Sequence, residues 1–361
     1  MLKDGVDDWR TSWDDDEAAT KKARDVQSKL HDKYQIAWGP DDPPDDHFLG
    51  ANIHTDKSRM VASVKATSYI DLMVKRFADG DVSSPKYPAH WGHVPADDTL
   101  VRAWEKACAQ RTPQSPECTK RFGTFFGALL HATKFRPEIC AAMGLLGACL
   151  TFSDDDLYDC GMHVLVYLGR TRSLGVTYSA HLPEAHKLRA YADASWAVTR
   201  SVTGFVIMLA GGFIAAVSRR QHCITMSSCV AELIALADTA IELIHTSAVA
   251  KFYGHKMEGA IEVFTDSKSA YDLCHRFTSA QNSRHVDRKL FKMRELRGAG
   301  IVTVNHTPGV ANPADLFNKI LSRQVFEKHR KFVLNLPAGA AADGRRVVWH
   351  ASSPHDATEA P

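Results

Sequence analysis

Four acids fall where a fold has little use for them: Asp193, Glu232, Asp266 and Asp315. Asp193 ends a run in which Leu188, Ala190 and Ala192 alternate with Arg189 and Tyr191, the pattern of a half-buried strand. Small Ala194 and Ser195 follow it, so its carboxylate is partly buried unless it serves as a turn residue. Glu232 lies in a long apolar segment that reads as a helix over 227–252. At 100° per residue it shares an azimuth with Leu236 and Leu243, whereas Asp238, Glu242 and His245 take the opposite sector. A carboxylate buried without a partner costs several kcal/mol, so a glutamate on that face either reaches water at its flank or has a cation or donors beside it. Asp266 follows a strand at 260–265 and precedes a helix; that is the edge where open α/β sheets bind ligands, and also a place where Asp caps helices. Asp315 stands third after Asn312 at a helix start, where an acid complements the helix dipole. Singly, each has an ordinary structural reading. Together they offer oxygen donors from a strand, a long helix, a strand end and a helix start, a cage suited to hard divalent cations. Two such ions roughly 3.5–4 Å apart can hold the attacking water and the leaving oxygen of a phosphodiester hydrolysis.

The elements that must position these acids follow from periodicity. After the strand at 187–193, apolar runs at 203–209 and 213–217 meet at Gly211-Gly212, a hairpin signal. The helix at 227–252 follows, then the strand at 260–265, helices at 267–275 and 286–297, a strand at 301–306, and a last helix opened by Asn312-Pro313. Residues 187–332 thus form one α/β domain. Upstream, 47–186 reads as mostly helical, with apolar residues at three-to-four spacing in 67–77, 121–132, 137–151 and 157–169. The Pro- and Trp-containing stretch 82–113 reads as irregular. Residues 1–46 form an acidic segment with one polar helix at 17–33, closed by a Pro/Asp-rich loop, and 333–361 reads as a disordered tail.

Charge is unevenly spread. The chain carries +2 overall, but −5 over 1–60, zero over 61–186 and +8 over 187–332, where 20 Lys and Arg face 12 Asp and Glu. A basic block of domain size is the footprint of a polyanion-binding module. The longest apolar run, 139–152, is bounded by Glu138 and by Asp154, Asp155 and Asp156 and is too short to cross a bilayer, so no membrane partner is expected. The eight cysteines form no Cys-x-x-Cys pair, which excludes a zinc ribbon and a disulfide framework, and no small-molecule cofactor motif is found. No basic start leads into an apolar segment at Met1; with reduced thiols, this reads as an intracellular protein, cytoplasmic or nuclear.

In order along the chain, Tyr191-Ala-Asp193-Ala-Ser-Trp196, Thr203-Gly-Phe205, Ser227-Ser-Cys-Val-Ala-Glu232, Thr265-Asp-Ser-Lys-Ser-Ala270, Arg284-His-Val-Asp287 and Ala314-Asp-Leu-Phe-Asn-Lys319 make up a recognisable set. It resembles the ribonuclease H domain of copia-type LTR retrotransposon Pol polyproteins. Upstream, His47-Phe-Leu-Gly50, Tyr69-Ile70, Arg76-Phe77, Gly127-Ala-Leu-Leu130, Arg136-Pro-Glu-Ile139, Val166-Tyr-Leu-Gly169 and Leu174-Gly175 look like the region that follows the polymerase site in the same polyproteins. The resemblance covers about 47–332.

It implies a mixed five-stranded sheet with flanking helices, the strands bearing Asp193 and Asp266 being parallel neighbours, preceded by a thumb- or connection-like reverse-transcriptase region. It also implies that Asp193, Glu232, Asp266 and Asp315 are the catalytic and metal-binding acids, with Asp193 bridging two Mg²⁺ ions, or Mn²⁺ in their place. The implied reaction is hydrolysis of the RNA strand of an RNA/DNA hybrid, and an implied partner is the rest of a Pol polyprotein. Arg219, Arg220, Arg284, His285, Arg288 and Lys289 are candidates for gripping the hybrid. The cellular enzymes carry a histidine in the loop before the last acid; here that loop, 308–312, has none. Gly5-Val-Asp7-Asp8-Trp9 looks like the remnant of the polymerase turn, with Gly5 in place of its tyrosine, so polymerisation by this chain alone is not expected. Two other readings compete. One is an inactive retroelement remnant that binds nucleic acid without cutting; the other is a retroviral-type integrase, which needs Asp, Asp, Glu in that order and so conflicts with the order Asp, Glu, Asp, Asp found here.

Overall fold

The computed structural model describes residues 17–34, 45–197, 200–255, 259–275 and 284–336. Asp7 and Asp8 lie outside the described residues, as does the tail beyond 336.

An N-terminal helix α1 (Glu17–Tyr34) precedes three strands, β1 (Asp45–Phe48), β2 (Ala51–Asp56) and β3 (Val61–Lys65). Helices α2 (Thr67–Phe77), α3 (Asp98–Gln110), α4 (Pro116–Ala132), α5 (Cys140–Gly147) and α6 (Asp155–Arg170) follow, then β4 (Gly175–Ser179). The mostly helical reading of 47–186 holds for these five helices, and to it the structure adds a four-stranded antiparallel sheet, β1 to β4 in that order, which the sequence did not reveal. The irregular reading of 82–113 is corrected, because α3 occupies much of it. Asp97 caps α3 by accepting a hydrogen bond from Thr99 N, as Ser115 caps α4 and Asp154 caps α6.

Beyond β4 the chain builds β5 (Arg189–Ser195), β6 (Val202–Leu209), β7 (Gly212–Arg220), α7 (Ser228–Phe252), β8 (Ile261–Thr265), α8 (Lys268–His275), α9 (Arg284–Gly298), β9 (Val302–His306) and α10 (Arg323–Val333). The sheet order is β7-β6-β5-β8-β9, with β5 antiparallel to β6 and parallel to β8, and β8 parallel to β9. This is the mixed five-stranded sheet implied by the resemblance.

β6 is buried on both faces, and the two-residue period of a strand sorts its side chains between two cores. Phe205 and Ile207 join Ala190, Ala192, Leu233, Leu236 and Leu243 beneath α7. Val206 and Met208 join Leu316 and Phe317 in a second core, which continues without a break into Ile70, Phe125, Leu146 and Val164 of the upstream helices. The two halves of the chain are joined further where Thr177 N donates to Leu334 O at 3.0 Å and Tyr178 Oη donates to Phe213 O at 2.8 Å. Val333 and Leu334 are fully buried, so order runs past the 333 boundary read from the sequence. The last helix expected at Asn312-Pro313 is instead a short 3₁₀ turn, Pro313–Phe317, separate from α10. At 25 residues α7 is long and apolar enough to cross a membrane; here its apolar face covers the sheet.

Candidate metal centre

Parallel neighbours end at the same edge of a sheet, and this brings Asp193 and Asp266 together. In the register, Ala192 of β5 pairs with Thr265 of β8, so the two acids are the next residues on adjacent strands. Ser227 starts α7 by accepting a hydrogen bond from Val230 N, and one turn later Glu232 projects over the same edge. One carboxylate oxygen from each of Asp193, Glu232 and Asp266 lies within 4.8 Å of the others. Among the described residues this is the one group of three or more metal-ligating side chains so close together.

Asp315 is not part of that group. It sits in the Pro313–Phe317 turn, whose start is fixed by Asn312: the buried side chain accepts from Ala314 N at 3.2 Å and donates to Ala192 O at 3.1 Å. Lys319 joins Asp315 to the cluster, its Nζ lying 2.5 Å from Asp315 Oδ1 and 2.9 Å from Asp193 Oδ2. The same Asp193 oxygen accepts a hydrogen bond from Asn318 Nδ2 at 2.8 Å. Gly204, opposite Asp193 on β6, makes this approach possible. A Cβ there would stand 3.0 Å from Ala314 O and 3.1 Å from Asn318 Cγ, tighter than ordinary packing.

The electrostatics show a shortage of positive charge. Burial, reinforced by Asp193 and Asp266, pushes the Glu232 carboxyl up to about 9. Burial and Asp193 also raise Asp266, and burial raises Asp315 to about 6 although Lys319 pulls the other way. Burial opposes the charge on Lys319, yet Asp193 and Asp315 hold its pKa above that of an ordinary lysine. One Glu232 oxygen, Oε2, is buried with no hydrogen-bond partner. Three converging carboxylates, one with an unengaged buried oxygen, fit a hard divalent cation.

The basic candidates are spread more widely. Arg219 lies 3.1 Å from Asp238 Oδ2, and Lys289 pairs with the other oxygen of the same acid. Arg220 stacks over the Trp104 ring of α3, 5.6 Å from its centroid. Arg288 is exposed on α9. Arg284 and His285 open α9, but their side chains lie outside what the structure describes. His306 ends β9 with Nε2 3.1 Å from Asp266 O. Asn318 and Lys319 were quoted above as part of a motif without a role; nothing in spacing or periodicity separates them from surface residues.

Strand order, parallel pairing of β5 with β8 and acids at their carboxyl edge define a ribonuclease H-like domain in the C-terminal half. The chain is similar over most of its length to Pol polyproteins of plant copia-type transposons. It is 25% identical over 297 residues to the retrovirus-related Pol polyprotein from transposon TNT 1-94 of Nicotiana tabacum, covering 80% of this chain and 21% of that protein. It is 25% identical over 292 residues to the Pol polyprotein from transposon RE2 of Arabidopsis thaliana, covering 78% of this chain and 18% of that one. The chain therefore spans about a fifth of the length of these relatives. Among solved structures, a ribonuclease H1 isolated from compost by a metagenomic approach superposes at a TM-score of 0.30 and 19% identity, covering 40% of this chain and 97% of its own. No family model matches the chain.

Proposed function

We propose that the chain is a metal-dependent ribonuclease that hydrolyses the RNA strand of RNA/DNA hybrids. The observation that carries this reading is the convergence of Asp193, Glu232 and Asp266 within 4.8 Å at the edge of the sheet, where burial and one another's charge raise Glu232 and Asp266. Mg²⁺, when bound there, supplies charge for the phosphate and an acidified water. Asp193, 2% exposed, is the acid between the cluster and Asp315, and Asn318 fixes its orientation through the hydrogen bond to Oδ2. Glu232 and Asp266 supply oxygens on one side of Asp193 and Asp315 on the other. Arg288 is exposed and free to meet a phosphate of the hybrid, whereas Arg219 and Lys289 must exchange Asp238 for it.

The upstream helices and their four-stranded sheet serve in this reading as a platform for the hybrid, and the remainder of a Pol polyprotein is the partner. An intracellular site of action, cytoplasmic or nuclear, accords with it. No polymerase activity is proposed for this chain alone. The test is incubation of the full chain with a labelled hybrid and Mg²⁺. Release of RNA fragments that requires the metal and disappears in Asp193→Asn supports the reading; intact RNA together with salt-sensitive, metal-independent binding supports the non-cutting remnant instead.

A further inference from the structure

Among the described residues a single ammonium, that of Lys319, stands with the four acids of this site. Lys319 lies between Asp193 and Asp315 and touches both, while Glu232 and Asp266 gather on the other side of Asp193. Asp193 Oδ2 already takes two donors, Lys319 Nζ at 2.9 Å and Asn318 Nδ2 at 2.8 Å. Lys319 thus holds the place between these two oxygens that a cation shared by Asp193 and Asp315 would take. Among the described residues neither Glu232 nor Asp266 is ion-paired, Lys319 acting on both only through space, and Glu232 Oε2 has no hydrogen-bond partner. The two sides of the site are thus unequal among the described residues: one has no ion-paired cation, and the other is closed by a positive charge that is 39% exposed.

We propose that Lys319 stands in for one of the two dications, so that the Asp193–Glu232–Asp266 side loads first and a second ion binds between Asp193 and Asp315 only by expelling the ammonium. This rests on the ribonuclease reading and adds to it an order of loading and the residue that imposes it. Lys319 in this scheme is a positioning residue: it holds the Asp315 turn against β5 until an ion replaces it. Two like charges cannot share the space between the same pair of carboxylates, so the second affinity carries the full cost of moving Lys319.

The experiment is a titration of the full chain with Mg²⁺ alone at constant ionic strength, followed by calorimetry, with bound Mn²⁺ counted by electron paramagnetic resonance. The wild type should show one tight ion and a second at least about tenfold weaker. Lys319→Gln, which keeps a donor and removes the charge, should strengthen the second ion by at least about tenfold and the first by less, whereas Lys319→Arg should keep the wild-type separation. In parallel, the side-chain carbon resonances of Lys319 in the wild type, assigned with Lys319→Arg, should shift with the second ion and not with the first. That measurement does not depend on Lys319→Gln folding. Two ions bound with unchanged affinities by Lys319→Gln, or a Lys319 signal that ignores the second ion, would overturn the assignment and leave the ribonuclease reading standing. Failure of both the wild type and Lys319→Gln to bind any dication would remove that reading and this one with it.

Discussion

Among the described residues the chain buries carboxylates in two places, and the contrast between them separates structure from site. In the upstream half Glu138, 1% exposed, accepts a hydrogen bond from Arg136 Nε at 2.7 Å and another from Tyr167 Oη at 3.0 Å. Arg136, itself fully buried, also donates to Thr171 O and Oγ1, and Arg330 of α10 reaches Tyr167 Oη at 3.1 Å. There two guanidinium groups accompany one carboxylate. At the sheet edge, among the described residues, one ammonium accompanies four. An orphaned oxygen does not distinguish the two clusters, because Glu138 Oε2 lacks a partner just as Glu232 Oε2 does. The balance of charge does: the first cluster is complete as protein, and the second is complete only with cations added.

The largest expected effect on this comparison comes from Asp193→Asn. Hybrid cleavage should fall at least about a thousandfold, while the melting temperature of the metal-free protein should hold or rise as the charge that raises the other three acids is removed. A loss of stability comparable to a core lesion would break the contrast. Arg136→Met should do the opposite, costing about 3–5 kcal/mol in denaturant unfolding by stranding Glu138, with most of it recovered in the double variant Arg136→Met, Glu138→Leu. Gly204→Ala should fall between the two: the new methyl presses on Ala314 O and Asn318, costing about 1–3 kcal/mol and shifting the turn that carries Asp315, so hybrid cleavage should drop with it.

The smallest effect is on pH dependence. In the metal-free protein burial and the neighbouring acids push Glu232 up to about 9 from an ordinary 4.5, and burial pushes Asp315 up to about 6 from 3.8. Folded-state values above the unfolded ones mean that the native state holds protons the unfolded chain has released. The stability they contribute is full below the ordinary values and is lost as pH rises, for Asp315 through about 6 and for Glu232 through about 9. The melting temperature without metal should thus decline between pH 5 and 9 by a few degrees, and saturating Mg²⁺ should flatten that decline. Arg136→Met should leave this slope in place, because the groups responsible lie at the other cluster.

Much of the second half was legible in the sequence because its elements obey simple periods: the alternation before Asp193, the hairpin at Gly211-Gly212 and the apolar face of α7 all correspond to observed strands and helix. Glu232 was legible for the same reason, as an acid on the azimuth of leucines. The four-stranded sheet was not. β2 is half-exposed and carries His54, Thr55 and Asp56, and β3 and β4 span five residues each, too few for a period to emerge. Arg136 and Glu138 were visible only as part of a likeness, since a buried ion pair has no pattern of its own. Lys319 escaped because its role depends on a contact across 126 positions, from β5 to the end of a 3₁₀ turn, and local spacing carries no trace of such contacts.

The seamless core between the halves has a consequence for how such a chain wears with time. Val206, Met208 and Phe317 on one side and Ile70, Phe125 and Leu146 on the other belong to a single apolar mass. A lesion that loosens the helical half therefore also undermines the floor on which the acids stand. Even where nothing selects for the helical half by itself, it is kept with the half that carries the acids, because the two share one core.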